Sequence, residues 1–229
     1  SATSWMLSKV VHNKGGLYNR LTEQIHLRTF CLRECEAYVK AAGLALNRNQ
    51  ILQYYMIFGG VPYYWGFLKK GLSLSQNIDS ILFEKDAPLR DEFKYLYASV
   101  FKKPENYVKI IEALGTKKVG MTREEIITST KIPNSGDLTT KLEELESCGF
   151  IRKYNAFGMK KKNAIYQLMV CFTLFYFKFL KSEPTDEHFW TNQINTPAVN
   201  TWLGLAFERV CMEHVDQIKF KLGISGVLT

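Results

Sequence analysis

The spacing of hydrophobic residues in the middle of the chain predicts three consecutive helices. Apolar side chains recur at helical intervals from Glu105 to Leu114 and again from Asp137 to Cys148. The middle helix opens at Thr122, because Thr122 and Glu125 stand three residues apart as a capping box that can satisfy two backbone N–H groups. Gly149 ends the third helix. Three helices in this order are typical of a helix-turn-helix domain.

Two short strand-like segments follow the third helix. Phe150 to Tyr154 and Ala164 to Leu168 are predicted β-strands, and the basic segment Gly158 to Asn163 between them is a predicted hairpin loop, or wing. The third helix then occupies the position that reads DNA in many domains of this order. The pattern therefore predicts a winged helix.

Charge separates the wing from the third helix. The helix carries four acidic residues and the single Lys141, whereas the wing and the strand before it carry five basic residues, Arg152, Lys153, Lys160, Lys161 and Lys162. Because acidic side chains repel phosphate, we expect any contact with DNA to be made by these five residues. The alternative is a winged helix that packs against protein, with lysines that only face solvent.

The N-terminal part of the chain is predicted to be mostly helical. Glu23 to Arg28 alternates like a strand, and Leu32 to Ala42 has a helical pattern. Gly59 and Gly60, followed by Pro62, predict either a corner between helices or a close approach of the backbone to a ligand.

The C-terminal part contains an aromatic helix and a linker. The aromatic residues recur at helical spacing and are expected to cover the winged helix: Phe172, Phe175, Tyr176 and Phe179. Ser182 to Glu187 is polar and contains a proline, so it is a predicted linker. Thr201 to Cys211 is a predicted amphipathic helix.

Composition agrees with a protein of one or two domains in the cytoplasm. The chain has 229 residues, 46% of them hydrophobic, and a formal net charge of +8, which favours an anionic partner such as nucleic acid. The uncharged run Met169 to Phe177 is shorter than the roughly 20 residues that a membrane-spanning helix needs. Because this run is too short, we expect no membrane contact. An odd number of scattered cysteines without a secretion signal favours a reducing compartment.

The sequence predicts neither a metal site nor a complete site for nucleotide hydrolysis. Cys31 and Cys35 lack a second pair of ligands, and His26 and His214 are isolated. Gly115 to Thr122 has the glycine spacing of a P-loop, but Met121 stands where the phosphate-binding lysine is required. We therefore expect no catalytic residues, and the chain alone is not predicted to be an enzyme.

Several segments resemble the archaeal-type ATPases of the AAA+/STAND group. Gly59 to Tyr64 is similar to the lid signature of that family, Ser1 to Met6 to the segment after its sensor strand, and Tyr18 to Arg20 to the turn before its next strand. The resemblance covers nearly the whole chain. It implies an ATPase-core tail at 1–20, a helical lid region at 21–102, a winged helix at 103–181 and the first helices of a truncated nuclease-like domain at 188–229.

The resemblance also implies ligands and partners for the intact parent. Gly59, Gly60, Pro62 and Arg20 would lie near its ATP, and the intact parent would also use magnesium, while this chain would hold no cofactor of its own. The partner would be a P-loop ATPase domain, and an uncovered lid surface would favour self-association. Glu208 matches a glutamate near the family's nuclease metal site, but one carboxylate cannot hold a divalent ion, so we expect it to pair with Arg209 or Lys219.

The sequence therefore predicts a mainly α protein with a small β component, in which a helical lid leads into a winged helix-turn-helix domain and a partial C-terminal domain. The predicted function is that of a non-catalytic C-terminal portion of an archaeal-type ATPase, with a winged helix that contacts DNA through its basic wing. The alternatives are a stand-alone DNA-binding regulator and a protein–protein packing module.

Overall fold

The computed structural model describes residues 22, 23, 25, 27–155 and 164–227. These residues form two compact units. One unit contains Asp91–Leu174 and the described residues before Arg28, and we call it the winged-helix unit. The other contains Arg28–Arg90 and the chain from Phe175 onward, and we call it the helical unit. The predicted segments 21–102 and 188–229 thus contribute most of their residues to the same unit.

The described residues are mainly helical and contain one small antiparallel sheet, which confirms the predicted fold class. The elements before the wing are α1 (Leu32–Ala41), α2 (Arg48–Phe58), α3 (Pro62–Trp65), α4 (Leu74–Leu82), α5 (Glu92–Val100), α6 (Glu105–Gly115), β1 (Met121–Thr122), α7 (Arg123–Thr130), α8 (Gly136–Ser147) and β2 (Ile151–Tyr154). Those after it are β3 (Ile165–Leu168), α9 (Cys171–Phe175), a π-helical turn (Tyr176–Leu180), α10 (Phe189–Gln193), α11 (Pro197–Glu213) and α12 (Val215–Lys221).

The winged-helix unit has the predicted order of elements. Helix α7 is capped as the sequence indicates, since the Thr122 N–H donates to Glu125 Oε2 at 2.7 Å and the Glu125 N–H donates to Thr122 Oγ1 at 3.3 Å. Strand β3 lies between β1 and β2 and pairs antiparallel with both. Helix α8 buries Leu138, Leu142 and Leu145 against the rest of the unit. These leucines hold α8 in the recognition position of the fold.

A cluster of aromatic rings packs in the core of the helical unit. Phe175 and Phe179 lie 5.2 and 5.3 Å from Trp190 between ring centroids, and Phe83 and Trp202 complete the cluster. The structure thus places two of the aromatic residues expected over the winged helix in the core of the helical unit.

Asp79 connects α4 to α10 inside this unit. Its carboxylate is buried and accepts hydrogen bonds from the Trp190 N–H at 2.7 Å, the Thr191 N–H at 3.1 Å and the Thr191 hydroxyl at 2.6 Å. Two of the three bonds satisfy backbone N–H groups at the beginning of α10, and all three link positions more than a hundred residues apart in sequence.

The predicted linker at Ser182 to Glu187 is fixed to the helical unit. Arg90 donates to the Pro184 carbonyl at 3.1 Å, and the Lys85 N–H donates to Glu187 at 3.0 Å. Asp186 accepts from the His188 N–H at 2.9 Å just before α10. The segment is therefore a tethered loop and not a free connection.

The strand predicted from Glu23 to Arg28 is not formed by the described residues of that segment. Ile25 and Leu27 are 76% and 89% exposed, and neither they nor Glu23 and Arg28 belong to a strand. Alternation alone does not make a strand, because a strand also needs a neighbour to receive its backbone hydrogen bonds.

Candidate nucleic-acid interface

Strand β2 carries the two basic candidates that the structure describes. β2 ends at Tyr154 and its antiparallel partner β3 begins at Ile165, so the predicted wing is the connection between two paired strands. Lys160, Lys161 and Lys162 lie outside the described residues, and their contact with nucleic acid stays a prediction. The side chains of Arg152 and Lys153 point to opposite faces of the sheet, because they are consecutive in a strand.

Arg152 is part of a hydrogen-bond chain within the protein. Its Nε donates to Gln167 Oε1 at 2.7 Å, and Gln167 Nε2 donates to the Lys118 carbonyl, also at 2.7 Å. The guanidinium carbon lies 4.8 Å from the ring centroid of Tyr154, whose hydroxyl donates to the Val119 carbonyl at 2.7 Å. These contacts tie the turn before β1 to the sheet, so Arg152 has a structural role whether or not it also meets phosphate.

Lys153 is exposed and available to a partner. Its Nζ lies 5.8 Å from the ring centroid of Tyr166, which is paired with it across the two strands. A cation at this distance from an aromatic face gains a modest attraction and keeps its charge accessible. Of the two described basic candidates, Lys153 is therefore the better placed for an external contact.

The recognition-position helix α8 is acidic on its exposed surface. Asp137, Glu143 and Glu146 are exposed, whereas the side chain of the helix's single lysine, Lys141, is only 13% exposed. Lys141 forms a salt bridge with Asp137, and its Nζ lies 5.3 Å from the ring centroid of Tyr107. The helix therefore offers no cation that could offset its acids in a DNA groove.

The corner at Gly59, Gly60 and Pro62 joins α2 to α3. Gly59 has a φ of 62°, and its carbonyl accepts from Trp65 Nε1 at 2.8 Å. Gly60 lies against the backbone of Phe30, whose N–H donates to the Gly60 carbonyl at 2.7 Å. A Cβ on Gly60 would stand 1.8 Å from the Phe30 carbonyl oxygen. Close packing of two backbone segments thus accounts for this glycine without a ligand.

The remaining nucleotide and metal expectations concern residues outside this corner. Arg20 lies outside the described residues, so its predicted place near ATP stays a prediction. Glu208 is exposed, Arg209 is buried, and Lys219 donates to the Val227 carbonyl, while the expected pairing of Glu208 with Arg209 or Lys219 stays a prediction. In the described part of the chain, no three histidine, cysteine, aspartate or glutamate side chains gather as a metal site.

No pattern in the sequence singles out the residue that supports β2 in the candidate interface. Gln167 is 4% exposed and carries the bond chain between Arg152 and the Lys118 carbonyl. The only signal in the sequence is a glutamine within an otherwise apolar strand, and its partner is set by the register Arg152↔Gln167. That register depends on long-range pairing that no local pattern encodes.

Comparison of the chain with protein-family models, with curated proteins and with solved structures found no significant match. Within the described residues, no helix is both long enough and apolar enough to cross a membrane.

Replacing Arg152 with alanine should destabilise the winged-helix unit by about 1–2 kcal/mol, because the buried Gln167 amide oxygen loses its donor. Replacing the exposed Lys153 with alanine should change stability by less than about 0.5 kcal/mol. Urea denaturation followed by circular dichroism measures both. Equal losses in the two variants would contradict the structural role of Arg152.

Proposed function

We propose that this chain is a non-catalytic portion of an archaeal-type ATPase, whose winged helix contacts DNA through the wing and Lys153. The distribution of charge in the winged-helix unit carries the proposal. Helix α8 exposes Asp137, Glu143 and Glu146, while Lys153 is exposed on the strand that leads into the lysine-rich wing. A duplex carries one phosphate charge per roughly 1.7 Å of its axis, so it is drawn to the basic side and repelled from α8.

This arrangement favours contact with the phosphate backbone over reading of bases. Major-groove recognition needs donors and acceptors on the inserted helix that match base edges. Exposed acids can accept from cytosine, but Glu143 and Glu146 would also face the phosphates that line the groove, and the one lysine of the helix is paired with Asp137. The proposed contact is therefore sequence-independent and strongly dependent on salt. We propose that the chain makes this contact in the cytoplasm.

The resemblance to ATPases supports the first half of the proposal. The helical unit contains the Gly59, Gly60 and Pro62 corner that is similar to the lid signature, and the chain contains no P-loop lysine. We therefore expect nucleotide to bind only when a P-loop domain is supplied. Isothermal titration of this chain with magnesium and ATP should give no binding heat, and saturable binding would contradict this half of the proposal.

Fluorescence anisotropy of a labelled random duplex across a salt series tests the DNA contact. The native chain should bind with a Kd of roughly 1–100 μM, and its affinity should fall steeply with salt. Changing Lys160, Lys161 and Lys162 to glutamate should remove most of this binding. The plot of log affinity against log salt has a negative slope, and the magnitude of that slope should decrease by about 3.

A matched control uses three exposed lysines of the same unit, Lys102, Lys103 and Lys109, also changed to glutamate. The two triple variants have the same net charge, so a general charge effect would weaken both equally. Selective loss in the wing variant supports the proposal. Absence of binding by the native chain at low salt would favour the alternative, a winged helix that packs against protein.

A further inference from the structure

His214 joins the C-terminal end of α11 to the beginning of α1 in the helical unit. The residue is 8% exposed. Its Nε2 accepts the backbone N–H of Leu32 at 3.0 Å, and its Nδ1 lies 2.8 Å from the Val210 carbonyl oxygen. Both ring nitrogens are therefore occupied by backbone groups of known polarity.

The two partners fix the protonation state of the ring. The Leu32 amide can only donate and the Val210 carbonyl can only accept, so Nδ1 carries the proton and Nε2 carries none. A second proton on Nε2 would replace the hydrogen bond with two opposed N–H groups. The added charge would face both the N-terminus of α1, whose dipole disfavours cations, and the C-terminus of α11, whose dipole favours them, so the lost Leu32 hydrogen bond is what opposes the second proton. The observed geometry thus requires neutral His214.

The Leu32 amide is one of the points that hold the segment before α1 in place. The others are the Phe30 N–H, which donates to the Gly60 carbonyl at 2.7 Å, and the Tyr55 hydroxyl, which donates to the Phe30 carbonyl at 2.9 Å. The Tyr55 ring also meets the His214 ring edge to face, with centroids 5.3 Å apart. His214 therefore fastens the same segment that packs on the Gly59 and Gly60 corner.

The ionisable groups nearest in sequence to the contacts at this ring include Tyr55 on α2, Arg209, Cys211 and Glu213 on α11, Asp216 on α12, and Cys31, Arg33, Glu34 and Cys35 at the beginning of α1. Burial raises the pKa of Cys35 to about 12, and the Cys31 N–H lowers the pKa of Glu34. Although Glu213 is exposed as a residue, removal of its carboxylate from water raises its pKa to about 7, against the opposing effects of Tyr55 and Arg209. Glu213 thus titrates close to the histidine range and must be controlled for.

We propose that His214 is a proton-sensitive latch on the segment before α1. Neutral His214 holds the Leu32 amide, and protonation of Nε2 releases it. Histidine is the side chain whose charge ordinarily changes between about pH 5 and 8, so acidification is the change that opens the latch. The released part is the backbone that contacts the α2–α3 corner, so acid loosens that corner while the helices themselves remain folded.

Nuclear magnetic resonance of the full chain tests the latch in two steps. A long-range proton–nitrogen correlation at pH 7.5 should show the Nδ1–H tautomer of His214. Amide exchange, corrected for intrinsic rates, should show that protection of the Leu32 N–H falls at least tenfold between pH 7.5 and 5.5. Protection of the Tyr55 N–H, inside α2, should change less than threefold and serves as the internal reference.

Two variants separate His214 from its neighbours. His214→Gln supplies an acceptor that does not titrate, so Leu32 protection should become independent of pH. Glu213→Gln removes the other group that titrates near neutrality and should leave the tenfold change intact. An Nε2–H tautomer, unchanged Leu32 protection in the native chain, or loss of the pH effect in Glu213→Gln would each overturn the latch. The tautomer and native protection measurements remain decisive if a variant fails to fold.

Discussion

Replacing Asp79 with alanine should lower the free energy of unfolding of the helical unit by about 3–5 kcal/mol. The substitution leaves two backbone N–H groups, those of Trp190 and Thr191, and the Thr191 hydroxyl without their acceptor. Asp79 and Trp190 are both 1% exposed, so water cannot readily replace the carboxylate. Each buried donor that is left without an acceptor lowers the free energy of unfolding by about 1–3 kcal/mol. Urea denaturation monitored by tryptophan fluorescence measures the loss.

Asp186 provides the matched control because its exposed carboxylate also accepts hydrogen bonds at the same short helix, α10. Its carboxylate accepts from the His188 N–H and from the Asn192 side chain, both at 2.9 Å. Asp186→Ala should cost no more than about 1 kcal/mol, the usual value of a solvent-accessible cap. A loss for Asp79→Ala as small as that for Asp186→Ala would refute the proposed role of Asp79 as the bridge between α4 and α10.

Replacing Gly60 with alanine should destabilise the helical unit by about 2–4 kcal/mol. The new Cβ would lie 1.8 Å from the Phe30 carbonyl oxygen and 2.6 Å from its carbonyl carbon. Both obstacles are backbone atoms, so a side-chain rotation cannot relieve the clash. The change must displace the Phe30 segment and break the Phe30 N–H bond to Gly60. Thermal and urea denaturation measure the effect.

Gly204 offers the opposite outcome for the same chemical change. It lies within α11, and an added Cβ would meet no atom within 4 Å. Gly204→Ala should therefore stabilise the protein by up to about 1 kcal/mol through helix propensity. If Gly60→Ala were as well tolerated as Gly204→Ala, close backbone packing would not explain Gly60, and a role in contacting a ligand would gain support.

Local signals in the sequence predicted five elements of the winged-helix unit, the helices α6, α7 and α8 and the strands β2 and β3, but neither α5 nor β1. The Thr122 and Glu125 capping box marks the beginning of α7, and the leucines of α8 mark its buried face. These features depend on residues three or four positions apart, which is the range that sequence patterns describe. The charge contrast between α8 and β2 could be read in the same way.

Long-range contacts could not be predicted in this way. The bond from Asp79 to Trp190 spans 111 positions, and nothing in either local pattern indicates the other partner. The chain from Phe175 onward joins residues 28–90 through this bond and through aromatic packing with Phe83. The internal bond of Arg152 to Gln167 likewise follows from strand register, so sequence alone could not divide the basic candidates into structural and exposed ones.

Hydrogen exchange of the native chain with and without a random duplex, read by mass spectrometry at low salt, tests the central claim most directly. The account predicts slower exchange in peptides that cover β2 and the connection to β3, and no change in peptides that cover α8. Protection of α8 without protection of the β2 peptides would contradict a contact made by the wing and would restore the recognition helix as the binding surface.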